Sequence, residues 1–236
     1  MADALSITAL SMSNDMQRLS TLSHNLANAT TPAFRREIAY SRPFVEHLGS
    51  AALQVTLPQF RSSIDQRPGT LRHTGAPLDV ALEGAGWFEL QSEDGVVYTR
   101  QGNFQLDARG RLVSNGGLPV MGSSGEITLG GGAVRIDSQG RVFEDQRAAG
   151  QLRVLNFDNP QALVPAGTGL FRAPEAAASP VEAPRLRQGY LENANLQTVA
   201  EMVRLIETMR HFETSQKLVQ GVDDIIGRAI RTLGEY

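Results

Sequence analysis

Residues 22–36 read LSHNLANATTPAFRR, and the organisation of the whole chain follows from how they are read. Upstream, Leu5, Met12, Leu19 and Leu26 recur every seven residues, with Ala9, Met16 and Leu22 filling the alternate turns. That spacing predicts one helix with a single apolar face. The pattern then stops. Asn28 tolerates the left-handed backbone of a helix end, Thr30 and Thr31 favour local turns, and Pro32 has no amide with which to continue. Phe34, Arg35 and Arg36 should leave it in extended conformation.

A second stripe of the same period closes the chain. From about residue 196 to 233, Leu205, Phe212, Val219, Ile226 and Leu233 fall seven apart, with Met202, Met209, Gln216 and Ile230 on the adjoining ridge. Glu213 and Lys217 add an i, i+4 pair on the polar side. A seven-residue repeat prefers a helical partner. Each stripe is the obvious partner of the other, and the alternative is that both pack on whatever lies between them.

What lies between is β-rich. From Pro77, short alternating runs are separated by glycine turns: Leu78 to Leu82, then Gly84-Ala85-Gly86, then Trp87 to Leu90. Asp94-Gly95 is a hairpin signal leading into Val96-Val97-Tyr98-Thr99. One phrase occurs twice, Asp107-Ala108-Arg109-Gly110-Arg111 and Asp137-Ser138-Gln139-Gly140-Arg141. In both, Asp opens a turn and Gly supplies positive φ. Each turn carries a single carboxylate, too few oxygen ligands for calcium. Residues 41–75 are polar and punctuated by Pro43, Pro58 and Pro68, with isolated Phe44, Val55 and Phe60, and read as extended. Residues 173–188, with Pro174, Pro180 and Pro184, read as an extended Ala/Pro linker. The expected division is 1–30 helix, 31–76 motif and extended segment, 77–172 all-β domain, 173–188 linker and 189–236 helix.

Composition narrows the function. The 236 residues carry a formal charge of −3 and 41% hydrophobic side chains, enough for a core and no signature of a nucleic-acid binder. Cysteine is absent, which excludes disulfides and thiolate metal sites. No apolar run is long enough to insert in a membrane, and Asp3 with interspersed Ser and Asn does not make a cleavable signal peptide. The histidines His24, His47, His73 and His211 form no metal spacing, and no Gly-x-Ser-x-Gly elbow occurs. Gly130-Gly131-Gly132 is not followed by a lysine or a helix, so it reads as a turn and not a phosphate cradle. Lone Asp79 reads as a turn anchor. No catalytic residue, cofactor site or metal site is expected.

Several stretches carry a family resemblance. Asn25-Leu26-Ala27-Asn28, Thr30-Thr31-Pro32 and Phe34-Arg35 resemble the N-terminal signature of the bacterial flagellar rod, hook and hook-associated proteins. Ala33 stands where that signature has glycine. Thr74-Gly75, Leu78 to Ala81, Gly84 to Phe88, Tyr98 to Phe104 and Gly110 to Val113 are similar to the family's core. Gly189 to Leu196 resembles its second signature, with Ala194 in the place of the usual serine, and Glu201-Met202-Val203 continues the match. Gly117 to Gly122 and Gly125-Glu126-Ile127 resemble the proximal-rod branch more than the distal-rod branch.

The resemblance implies a mainly β central domain with terminal α-helices pairing as a coiled coil (an α+β, rod or hook type of fold). It implies a structural subunit of the proximal rod, assembling as a helical tube that transmits torque. Its partners would be other rod subunits, further copies of itself and the flagellar type III export apparatus, with no nucleic acid and no membrane insertion. It would stand in the periplasm-spanning rod of the basal body, exported without a cleavable signal peptide. The assembly interface would involve Leu5, Met12, Leu19, Asn25, Leu26, Asn28 and Phe34 at one end. At the other it would involve Met202, Leu205, Met209, Phe212, Val219, Ile226 and Leu233. The alternatives are a distal-rod or hook-type subunit, or a β-domain enzyme or carbohydrate-binding module with a helical dimerisation device.

Overall fold

The computed structural model describes residues 2–41, 60–167, 169–173 and 178–234. It contains two compact units. One consists of Met1–Ala27, Glu37–Ser63 and Gln197–Tyr236, the other of Asn28–Arg36 and Ile64–Leu196. Of the expected extended stretch 41–75, residues 42–59, with Phe44, His47 and Val55, lie outside the described residues, while Phe60–Ile64 and Leu71–His73 are strands.

The first unit is built on two helices, α1 (Ala2–Ala27) and α2 (Thr198–Gly234). They pack on one another. They run antiparallel, because Asp15 of α1 meets His211 of α2 while Asn25 further along α1 meets Glu201 earlier in α2. The strand Glu37–Ser41 follows α1 in this unit and pairs with Phe60–Ile64.

The second unit is all β. Its main sheet has six strands, in the order Val164–Gly167, Leu170–Arg172, Gly95–Thr99, Trp87–Ser92, Val154–Phe157 and Ala178–Pro180. Every neighbouring pair is antiparallel. A three-stranded sheet holds Val134–Ile136, Arg141–Glu144 and Arg147–Gln151. The expected hairpin at Asp94-Gly95 forms with Ser92 opposite Gly95, leaving a two-residue turn. The main core gathers Val80, Phe88, Leu90, Leu112, Val120, Ile127, Val142 and Leu152, and a smaller one gathers Trp87, Phe157, Leu163 and Phe171.

The repeated turns are built alike. Asp107 Oδ1 accepts the N–H groups of Arg109 (2.9 Å) and Arg111 (2.8 Å), while Arg111 Nε donates to Oδ2 at 2.8 Å. Asp137 does the same for Gln139 and Arg141 at 2.9 and 3.0 Å, with Arg141 Nε at 2.7 Å from Oδ2. The bond from the Arg111 amide is the main reason the Asp107 carboxyl is held below the usual carboxylate range. Gly110 has φ +75, and a Cβ there would stand 2.3 Å from the carbonyl oxygen of Leu129. Gly110→Val should therefore destabilise the β unit by roughly 2–4 kcal/mol, combining a forbidden φ with a backbone collision. Chemical denaturation monitored by Trp87 fluorescence reads this, and a loss below about 1 kcal/mol would count against it.

Residues 173–188 are not a bare linker. Ala178–Pro180 is the sixth strand of the main sheet, and Leu186–Gln188 pairs with Val80–Leu82. Tyr190–Glu192 then pairs with Leu71–His73, so the β unit extends at both ends beyond 77–172. The left-handed residue after α1 is not Asn28 but Ala33, at φ +53.

Candidate functional site

Two arrangements stand out: the seam between α1 and α2, and a buried cluster of charges in the β unit. Along α2 one stripe of protected positions runs through Glu201, Leu205, Thr208, Phe212, Ser215, Val219 and Val222 in alternating steps of four and three, with Ala200, Gly221 and Gly227 protected beside it. Along α1 the stripe facing the seam is Thr8, Met12, Asp15, Leu19, Leu22 and Asn25, with Leu10, Ser11, Asn14, Thr21 and Leu26 also protected beside it. Leu205, Phe212 and Val219 thus lie in the seam with Met12 and Leu19, each only half-buried, and Leu26 beside Asn25 is half-buried too. Ala9 and Met16, expected on the same stripe, are exposed, Met16 at 60%. Met202 and Met209 are 45% and 48% exposed and join Val199 and Ile206 as an uncovered ridge beside the seam. The side chains of Leu5, Ile226 and Leu233 lie outside the described residues.

The seam is more polar than its period suggests. Asp15 is buried and its Oδ2 lies 2.5 Å from His211 Nδ1. Asn25 is fully buried and uses its amide as a piece of backbone. Its Oδ1 accepts the Glu37 N–H (2.9 Å) and its Nδ2 donates to the Glu37 carbonyl (2.8 Å), which fixes the first residue of the following strand. Nδ2 also reaches Glu201 Oε2 at 3.5 Å, while Arg204 Nη1 donates to Glu201 Oε1 at 2.7 Å. Asn28 and Phe34, also expected at an interface, are buried within the β unit, where Thr31 donates its N–H to the Asn28 carbonyl at 3.0 Å.

The charge cluster was not visible in the sequence. Arg35, Arg100 and Glu192 are distant in the chain, yet their side chains meet with only 2%, 5% and 2% exposure. Arg35 Nη1 donates to Glu192 Oε1 and Arg100 Nε to Oε2, each at 2.9 Å. Gly69 N–H adds a third donor to Oε1 at 2.8 Å. The rest of Arg100 is spent on carbonyls, with Nη1 at 2.8 Å from those of both Gly84 and Gly86. The remaining Arg35 Nη1 bond goes to the carbonyl of Arg67. Burial pushes the Arg35 guanidinium down to about 10; Glu192 opposes that shift and Arg100 adds to it.

Around this cluster the two signature regions are stitched together through the backbone. Ala33 N–H donates to the Glu192 carbonyl at 2.7 Å, and Asn195 N–H to the Phe34 carbonyl at 3.2 Å. Asn195 Oδ1 accepts the Arg36 N–H at 2.7 Å, while its Nδ2 donates to the carbonyls of Asp65 (2.8 Å) and Arg67 (2.7 Å). The left-handed turn at Ala33 aims its N–H into this network, so the position keeps a glycine-like backbone without a glycine. Ala33→Gly should stabilise the β unit by up to about 1 kcal/mol, and Ala33→Val should cost about 2 kcal/mol. Equal melting midpoints for the two variants would contradict that reading.

Nothing in either arrangement is set up to react. The carboxylate of Glu192 is saturated by its donors. Among the described residues no three His, Asp or Glu side chains gather as a metal site, and no described helix is long and apolar enough to cross a membrane.

Comparison with known proteins gives these features their context. Residues 187–232 match the family model described as flagellar basal body rod FlgEFG protein C-terminal, and residues 81–144 match that of the flagellar hook protein FlgE/F/G D1 domain. The chain is 32% identical to the flagellar basal-body rod protein FlgF of Escherichia coli (strain K12) over 89% of either chain. It is 29% identical to FlgF of Mesorhizobium japonicum over 99% of both chains. Its identity to FlgG of Buchnera aphidicola subsp. Acyrthosiphon pisum is 30%, over 96% of this chain and 98% of the relative. These are structural proteins, not enzymes. With its terminal helices, its β unit and the two signature stretches meeting at Glu192, the chain belongs to the flagellar basal-body rod protein family.

Proposed function

We propose that the chain is a proximal-rod subunit of the FlgF type, joined to other rod subunits and to further copies of itself through its terminal helices paired as a coiled coil. It reaches the rod through the flagellar type III export apparatus and stands there as part of a torque-transmitting helical tube spanning the periplasm. The observation that carries this reading is the division of α2 into two apolar edges. Leu205, Phe212 and Val219 face α1, while Val199, Met202, Ile206 and Met209 have nothing over them among the described residues. A helix pair with an uncovered apolar edge gains stability when neighbouring helices cover it.

Alignment length favours the proximal-rod branch. The alignments to FlgG of Buchnera aphidicola subsp. Acyrthosiphon pisum and subsp. Schizaphis graminum run to 256 positions over 96% of the chain, against 240 over 99% for FlgF of Mesorhizobium japonicum, so the FlgG alignments open more gaps in it. Those to FlgF run to between 226 and 240. The test is biochemical: the chain should co-purify with detergent-extracted basal bodies in a fixed ratio to the other rod proteins. Its absence from them, with the other rod proteins present, overturns the reading.

A further inference from the structure

Three turns of the β unit share one construction, and the third differs from the others at a single amide. Gly110, Gly140 and Gly117 stand at φ +75, +81 and +79. Each donates its N–H to the carbonyl three residues back, that of Asp107 (2.9 Å), Asp137 (3.0 Å) and Ser114 (2.9 Å) respectively. Those three residues donate their own N–H groups to the carbonyls of Arg111 (3.0 Å), Arg141 (3.0 Å) and Leu118 (2.8 Å).

The side chain that opens each turn decides what happens inside it. Asp107 and Asp137 each hold the second amide of the loop, that of Arg109 and that of Gln139, at 2.9 Å. Ser114 is shorter and has a single oxygen. Its Oγ accepts the Leu118 N–H at 3.2 Å. The amide left over is that of Gly116, which has no acceptor among the described residues. The side chain of Asn115 has no hydrogen-bond partner there either, and both residues are exposed.

Asn115 is also the only asparagine in the chain that is followed by glycine. Glycine has no Cβ to hold its nitrogen away from the preceding side chain. A Cβ built on Gly116 would meet only Ser114 Oγ, at 3.8 Å, so the space around that nitrogen is open. In the sister turns the place of Asn115 is taken by Ala108 and Ser138, which have no side-chain amide to attack.

We propose that Asn115 is a site of spontaneous deamidation in the folded protein. The Gly116 nitrogen, its proton given up to solvent, attacks Asn115 Cγ. The N–Cγ bond forms, the Cγ–Nδ2 bond breaks, and Nδ2 leaves as ammonia with a proton returned by solvent. The product is a five-membered cyclic imide. Water then opens the ring at one of its two carbonyls. Attack at Cγ gives aspartate. Attack at the main-chain carbonyl gives isoaspartate, in which the chain runs on through Cβ and Cγ. Either product adds one negative charge to a chain already at −3. Aspartate fits the exposed position. Isoaspartate lengthens the turn by a backbone atom, which should break the bond from Gly117 to Ser114 and disturb the bridge between Val113 and Pro119. The next residue, Val120, is wholly enclosed in the main core, so ageing at this turn reaches the packing beneath it.

The experiment ages the full-length folded chain at neutral and mildly alkaline pH and follows tryptic peptide 112–135 by mass spectrometry. The same chain held in guanidinium chloride is the positive control. The peptide should gain the mass that separates an acid from an amide, faster at the higher pH and with isoaspartate as the larger product. The other asparagines should stay intact over the same interval. Gly116→Ala has room for its Cβ and should slow the conversion about tenfold. Ser114→Asp supplies the carboxylate that ties the equivalent amide in the sister turns. It should slow the folded chain and leave the denatured one unchanged, which separates the free amide of the fold from the bare sequence. A folded chain that stays unconverted while the denatured control converts overturns the proposal. So does a Gly116→Ala chain that ages as fast as wild type, and that comparison decides the matter if Ser114→Asp does not fold.

Discussion

Glu192→Gln should cost the β unit roughly 3–5 kcal/mol, the largest stability loss expected from a single uncharged replacement in this chain. The carboxylate balances two buried guanidinium groups, Arg35 and Arg100. Glutamine keeps the shape and one acceptor but removes the charge, leaving two cations enclosed without an anion. For a unit of this size the loss corresponds to a fall in melting midpoint on the order of 10 °C. Replacing all three residues by apolar side chains of similar volume should recover much of it, because the penalty is one of unpaired charge and not of lost packing. A Glu192→Gln midpoint within about 3 °C of wild type would contradict this.

The second large effect concerns the helices. In dilute, unassembled chain, α1 and α2 should exchange their amide hydrogens orders of magnitude faster than the strands Trp87–Ser92 and Val154–Phe157. No apolar side chain along the described seam is fully buried, and the seam gives positions to Thr8, Asp15, Asn25, Glu201, Thr208 and Ser215. Polar residues there reduce the apolar area that opposes the entropy of ordering two long helices. The β unit has no such weakness, since Phe88, Leu90, Val120 and Val142 are wholly enclosed. Equal protection of helices and core strands in the dilute chain contradicts the expectation.

How much of this could be read from sequence depended on the range of the interaction. The heptad stripe through Leu205, Phe212 and Val219 and the twin turns at Asp107 and Asp137 were legible, because each is written within a few adjacent residues. The true face of α1 was only partly legible. Asp15 and Asn25 lie in the seam because His211, Glu37 and Glu201 satisfy them, and hydropathy alone cannot register a partner on another element. The strands Ala178–Pro180 and Leu186–Gln188 were hidden by alanine, serine and proline, which give no period-two signal. The cluster of Arg35, Arg100 and Glu192 left no trace at all. The residues sit in three stretches that resemble the family, but their burial follows from pairing across 92 positions or more.

The most direct measurement on the account as a whole is the amount of chain found in detergent-extracted basal bodies when the seam is broken. Phe212→Asp places a charge between α1 and α2, in the unit that does not contain the β core. The account predicts that this variant is lost from basal bodies while its β unit melts at the wild-type temperature. A Phe212→Asp chain that enters basal bodies as well as wild type, or one whose β unit is destabilised, would contradict assembly through paired terminal helices.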